Sequence, residues 1–147
     1  MGSSGLVGGE TMDILAEGAE PELEKLLMIH AGKTGALIAG ACVMGGAIGG
    51  GSVEAVRGLR SFGQSVGLAF QIADDCLNET STPEQLGKSV GSDRDRNKMT
   101  FPALMGLEGA QQAAEKACTA ALDALKILPG DTSGLENLAR YSIERLH

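Results

Sequence analysis

The chain has no tryptophan, and Phe, Tyr and Trp together make up only 3% of its 147 residues. Recognition of single-stranded nucleic acid by stacking needs aromatic faces, so that class of function is set aside. Positive charge is also scarce: twelve Lys and Arg stand against nineteen Asp and Glu, for a net charge of -7. Such a balance opposes any broad electrostatic grip on nucleic acid or on an anionic lipid surface. Cysteines are few, odd in number and far apart, at Cys42, Cys76 and Cys118. Neither a disulfide framework nor a zinc-ligand spacing can be built from them, and reduced, buried thiols in a cytoplasmic protein are expected. The amino terminus, MGSSGLVGGE, lacks the basic start and apolar run of a secretory signal. No segment alternates apolar and polar residues as a half-buried strand does.

What is present is a helical pattern with many small residues. Apolar residues account for 43% and charged residues for 21%, the composition of a folded globular domain, and the length suits one domain over residues 1–147. Glycine, at 22 residues, is interleaved with Ala, Leu, Ile and Val, which reads as closely packed helices. Leu6 to Gly18 forms a first helical pattern, the segment after Pro21 a second, and Lys33 to Gly50 a small-residue helix. Gly35 to Gly51 carries no charge; its length and glycine content predict a buried, closely packed helix, with no membrane span. Ser52 is a good N-cap, with Glu54 behind it, for a long helix reaching about Asn78. Glu79 to Asn97 is loop-like, Pro102 opens a further one or two helices stopped by Pro129 and Gly130, and a last helix starts near Ser133. The fold class is all-α.

The segment richest in chemistry is Gly67–Asn78. Gln71, Asp74 and Asn78 recur at three and four residues and share a helical face, with Asp75 next to them. Clustered oxygen donors suit a hard cation such as Mg²⁺, which takes one or two carboxylates and completes its shell with water and phosphate. An acidic helix end facing solvent is the alternative, and spacing leaves both open. Lys33, Lys88 and Lys98 follow as cations able to meet a phosphate. Gly32-Lys33-Thr34 is no P-loop, because Leu27 stands where that motif needs glycine and no strand precedes it.

The ordered series Gly5-Leu-Val-Gly-Gly-Glu-Thr-Met-Asp13, Ile29-His-Ala-Gly-Lys-Thr-Gly-Ala-Leu37, Phe70-Gln-Ile-Ala-Asp-Asp75, Leu86-Gly-Lys88 and Lys98-Met-Thr-Phe-Pro102 resembles the trans-isoprenyl diphosphate synthases, most of all the bacterial-type farnesyl and geranylgeranyl diphosphate synthases. The resemblance implies the carboxyl-terminal half of the isoprenoid synthase helical bundle. It implies Mg²⁺-dependent prenyl transfer, in which isopentenyl diphosphate attacks the cation left by an ionised allylic diphosphate. By position, Asp74, Asp75 and Asn78 belong to the second aspartate-rich motif and would hold Mg²⁺. Lys33, Lys88 and Lys98 would contact diphosphate, Phe70 would contact substrate, and Thr34 and Gln71 would lie beside the reacting carbons, with Lys33, Thr34 and Gln71 in catalytic roles. Asp13 and Glu10 would sit on the facing helix.

Three positions depart from that pattern: Asn78 replaces the motif's last acid, Glu10 a usual Gln, and Ser92 a common second lysine. No other aspartate-rich motif and no Arg-Arg pair occur in the sequence, so the chain brings one wall of a two-walled site. Its expected partner is the missing amino-terminal half or a full-length synthase, in a homo- or hetero-oligomer. An enzyme part, a non-catalytic partner subunit and an inert fragment are the competing readings. Product chain length cannot be read from this half.

Overall fold

The computed structural model describes residues 2–20, 22–80, 98–144 and 146. Among them there is no strand, as expected of an all-α chain. Helix α1, Leu6–Leu15, ends ahead of Gly18, whose φ of 75° turns the chain. Helix α2, Leu23–His30, passes without a break through a π-helical turn, Ala31–Gly35, into α3, Ala36–Ile48. The sequence suggested two separate pieces here. The wider turn keeps the backbone hydrogen-bonded across two glycines, so one continuous run forms with a local bulge, a feature frequent at functional sites.

Helix α4, Val53–Thr80, starts as predicted: Ala55 N–H donates to Ser52 Oγ at 3.2 Å, and Glu54 lies in the first turn. It continues past Asn78 to Thr80, so Asp74 and Asp75 are not in its last turn. Helix α5, Phe101–Leu125, is capped by Thr100, whose side chain accepts from Ala103 N–H at 3.3 Å, and it is kinked at Gly106 (φ 74°, ψ 165°). Helix α6 is Ser133–Glu144.

Helix α4 is the axis of the assembly, with α5 along one side and α3 along another. Leu26, Ile29, Ile72, Cys76, Met99 and Phe101 form one apolar cluster beneath the aspartates, and Phe62, Val66, Cys118, Ala121 and Leu125 a second nearer the α4 start. The α3–α4 contact is backbone-close. A Cβ on Gly67 would stand 2.8 Å from Gly35 Cα, and one on Gly63 would stand 2.5 Å from Ala39 Cα. Gly9 of α1 touches the backbone of Gly32 and Lys33 in the same manner. These close approaches lock the π-turn between α1 and α4.

The other face of α3 is open, which corrects the expectation of a buried helix at Gly35–Gly51. Only Ala39 of α3 is buried, whereas Leu37, Met44 and Ile48 are 42%, 51% and 88% exposed. The continuous run Leu23–Ile48 is long and apolar enough to cross a membrane, with a mean hydropathy of 1.5 over its most apolar stretch.

Candidate active site

Four parts of the chain converge on one cleft of about 200 Å³: the end of α1, the end of α2 with the π-turn, the carboxyl-terminal third of α4, and the segment leading into α5. Gln71, Asp74, Asp75 and Asn78 line it from α4, one residue for each turn of that face plus Asp75 at its edge. Lys33 and His30 line it from the π-turn side, Asp13 from α1, and Lys98, Met99 and Thr100 from the approach to α5. Lys33 and Lys98, far apart in sequence, meet over the same acid.

The lysines are already paired. Lys33 Nζ lies 2.8 Å from Asp13 Oδ2 and 2.8 Å from Glu10 Oε2, while Lys98 Nζ lies 3.7 Å from the same Asp13 oxygen. Desolvation works against the charge on Lys33, but hydrogen bonds to Asp13 and Glu10 outweigh it and raise the ammonium above its usual value. Burial likewise pushes the Asp13 carboxyl upward, and the Lys33 hydrogen bond and charge, with Lys98 and His30, more than reverse this and hold it below the usual range. Both groups stay ionised at neutral pH, as a preassembled anion-binding edge requires.

Thr34 Oγ1 donates to Gln71 Oε1 at 2.8 Å, which fixes the amide orientation. Thr34 stands behind Gln71, with Gln71 itself on the cleft wall. Asp75 is buried, 6% exposed, and its Oδ2 accepts the Phe101 N–H at 3.1 Å. The carboxylate therefore sits at the amino-terminal end of α5, where the helix dipole favours negative charge. Burial drives the Cys76 thiol up to about 11, with Asp75 and Glu79 adding to the effect, so it stays a neutral core group and offers no soft ligand.

Most of the residues singled out from the sequence are brought together: Lys33, Gln71, Asp74, Asp75, Asn78 and Lys98 line the cleft, and Thr34 supports it. Phe70 does not line it; the ring stands 40% exposed at the edge of the same α4 face. Lys88 and Ser92 lie outside the described residues. His30 was missed. It lies in the recognisable run before Lys33, but no spacing rule links it to Asp75, and only the packing of α2 on α4 does.

Whether these residues fit Mg²⁺ is a matter of donor chemistry. Among the described residues no three or more His, Cys, Asp and Glu are grouped closely enough to hold an ion by themselves. The cleft instead offers carboxylate and amide oxygens on one wall and lysines on the other. That set fits a magnesium ion which keeps water and phosphate oxygens in its shell.

A sequence profile of the polyprenyl synthetase family matches residues 3–126. Geranylgeranyl pyrophosphate synthase 12 (chloroplastic) of Arabidopsis thaliana is 43% identical over 119 residues, 79% of this chain and 33% of that protein. The heterodimeric geranylgeranyl pyrophosphate synthase large subunit 1 of the same plant is 41% identical over 145 residues, 96% of this chain and 39% of that one. Among solved structures, the geranyltransferase of Helicobacter pylori, complexed with magnesium and isoprenyl diphosphate, superposes with a TM-score of 0.78 at 31% identity, over 97% of this chain and 46% of that one. The chain thus spans between a third and two fifths of the length of these two plant relatives.

Proposed function

The chain belongs to the polyprenyl synthetase family, and from that membership we propose that it supplies the second aspartate-rich wall of a short-chain prenyl transfer site, acting on an allylic diphosphate and isopentenyl diphosphate. The observation that carries the reading is the cleft itself, where Lys33 of the π-turn and Lys98 of the approach to α5 line the same space as Gln71, Asp74 and Asn78 of α4. Asp74, Asp75 and Asn78 are the residues that would hold Mg²⁺, which supplies positive charge against the diphosphate as the carbon–oxygen bond breaks.

Lys33 and Lys98 bind the phosphate oxygens. The electron pair of the breaking bond leaves with the diphosphate, and the two ammonium groups, held side by side over Asp13, stabilise that growing negative charge. Gln71 Oε1 accepts the Thr34 hydroxyl, which holds the side chain in one orientation on the cleft wall beside the reacting carbons. The apolar cluster of Ile29, Ile72 and Met99 beneath the cleft excludes water on that side. The double bond of isopentenyl diphosphate then attacks the cation, and loss of a proton completes the transfer.

One wall is not sufficient. Beyond Asp74-Asp75-Cys-Leu-Asn78 the chain carries no other aspartate-rich motif, so the complementary half comes from another chain or segment, in a homo- or hetero-oligomer. The test is transfer from labelled isopentenyl diphosphate to geranyl diphosphate with Mg²⁺. It is run on this chain alone and on this chain mixed with a separately expressed amino-terminal half of a related synthase. Product is expected only in the mixture and is expected to disappear in Asp74→Ala. An assembled mixture that gives none would favour a non-catalytic partner subunit, with Asn78 and Glu10 the residues responsible.

A further inference from the structure

The most anomalous group in the molecule is the imidazole of His30. It is 5% exposed, and among the described residues neither of its ring nitrogens has a hydrogen-bond partner. A buried polar group left unpaired is costly and calls for an explanation. Its surroundings supply one. Nε2 lies 3.4 Å from Asp75 Oδ2, and the ring stacks on Phe101 with centroids 5.6 Å apart and planes 18° from parallel. The oxygen that His30 approaches is the one that already accepts the Phe101 N–H. His30 is also the last residue of α2, immediately before the turn that carries Lys33 and Thr34. One carboxylate oxygen is therefore where the lysine-bearing turn, the aspartate-bearing helix and the start of α5 meet.

We propose that His30 is a positioning residue for the cation site: its Nε2–H, together with the Phe101 amide, holds Oδ2 of Asp75 and so turns Oδ1, beside Asp74, towards the cleft. The two atoms are already 3.4 Å apart, so the hydrogen bond needs only a realignment of ring and carboxylate. The orphan nitrogen is thus a bond left to be made when the site fills. Outer partners that orient a ligating carboxylate typically change metal affinity by about 10- to 100-fold. The inference rests on the cation role given above to α4, and the test separates the two.

The probe is Mn²⁺ with inorganic pyrophosphate, titrated into the full 147-residue chain and followed by electron paramagnetic resonance, with thermal melting on each sample. His30→Phe keeps a ring of similar size to stack on Phe101 but removes the donor. Its Mn²⁺ affinity is expected to fall about tenfold or more with the fold intact, while His30→Gln, which retains an N–H, stays within about threefold of the unmodified chain. Folded His30→Phe that binds as the unmodified chain does would overturn the proposal. If Asp74→Ala lowers the affinity in the same series, that result overturns the His30 role alone. If Asp74→Ala is also without effect, the cation role of α4 falls with it. Should His30→Phe fail to fold, histidine ¹⁵N resonances of the unmodified chain decide. A His30 Nε2–H protected from exchange with Mg²⁺ and pyrophosphate bound supports the strut, and an unprotected one overturns it.

Discussion

Lys33 is held by two carboxylates at the distance where a phosphate oxygen would otherwise sit, and the two differ in character. Asp13 is 14% exposed and is shared with Lys98, whereas Glu10 is 47% exposed and serves Lys33 alone among the ion pairs described. Diphosphate must displace or bridge these contacts to reach the ammonium. The half-exposed pair is worth less than about 1 kcal/mol after screening by solvent, so the effect of removing it is modest but signed. Glu10→Gln should therefore strengthen Mg²⁺-pyrophosphate binding by about two- to fivefold in calorimetry, with the gain shrinking as salt is raised. Unchanged or weaker binding would show that Glu10 does not compete for Lys33. Asp13→Ala has the opposite expectation, because it removes the group that aligns both lysines.

At the scale of elements, the site depends on how closely helices approach. Gly63 and Gly67 of α4 form an i, i+4 seam against Ala39 and Gly35, and the contacts are backbone to backbone, so no side chain can rotate away. Gly67→Ala should destabilise the chain by about 1–3 kcal/mol in denaturant melts, the range for overpacking a close contact. It should weaken pyrophosphate binding as well, since the displaced partner is the end of the turn that carries Lys33 and Thr34. Gly40, one turn further along α3, is the control: a Cβ there meets nothing within 4 Å. Gly40→Ala should be neutral or stabilise by up to about 1 kcal/mol, from helix propensity alone. Equal effects at the two positions would mean that the seam is looser than its geometry indicates. The π-turn belongs to the same arrangement, because Gly9 and Gly32 let α1 lie directly on it and bring Asp13 to Lys33.

For the whole molecule, the open face of α3 is the dominant feature. Leu37, Met44 and Ile48 recur at helical spacing and are all exposed. Contiguous exposed apolar surface mediates association. The chain should bind a hydrophobic dye and sediment with self-associated species at micromolar concentration. The triple variant Leu37→Ser, Met44→Ser, Ile48→Ser should lose both properties, with its melting temperature within about 3 °C of the parent because the side chains contribute little burial. Retained dye binding would place the sticky surface elsewhere.

Much of this organisation was legible in the residues themselves. Helix type and order follow from apolar periodicity and from Ser52, Pro102 and Gly130, because capping and chain stiffness act over a few residues. The helical period alone put Gln71, Asp74 and Asn78 on one face, and the ordered motifs identified the family. Other features lie beyond any local rule. The sequence suggested a break near Gly32 where the structure has a π-turn, since the choice between a break and a bulge depends on α1 packing onto the glycines. It suggested a buried α3, yet burial is a property of neighbours, and this chain provides them on one side only. Phe70 was expected to contact substrate and does not line this cleft, because adjacent residues on a helix diverge by about 100° and the packing of α4 chooses which of them looks inward. Local chemistry, then, determined which residues carry the ammonium groups and oxygen donors that the proposed site uses. Tertiary structure decided which of them meet: Asp13 joining Lys33 to Lys98, and His30 and the Phe101 amide converging on one oxygen of Asp75. These are contacts between segments far apart in sequence, and only the closure of the chain around α4 sets their distances.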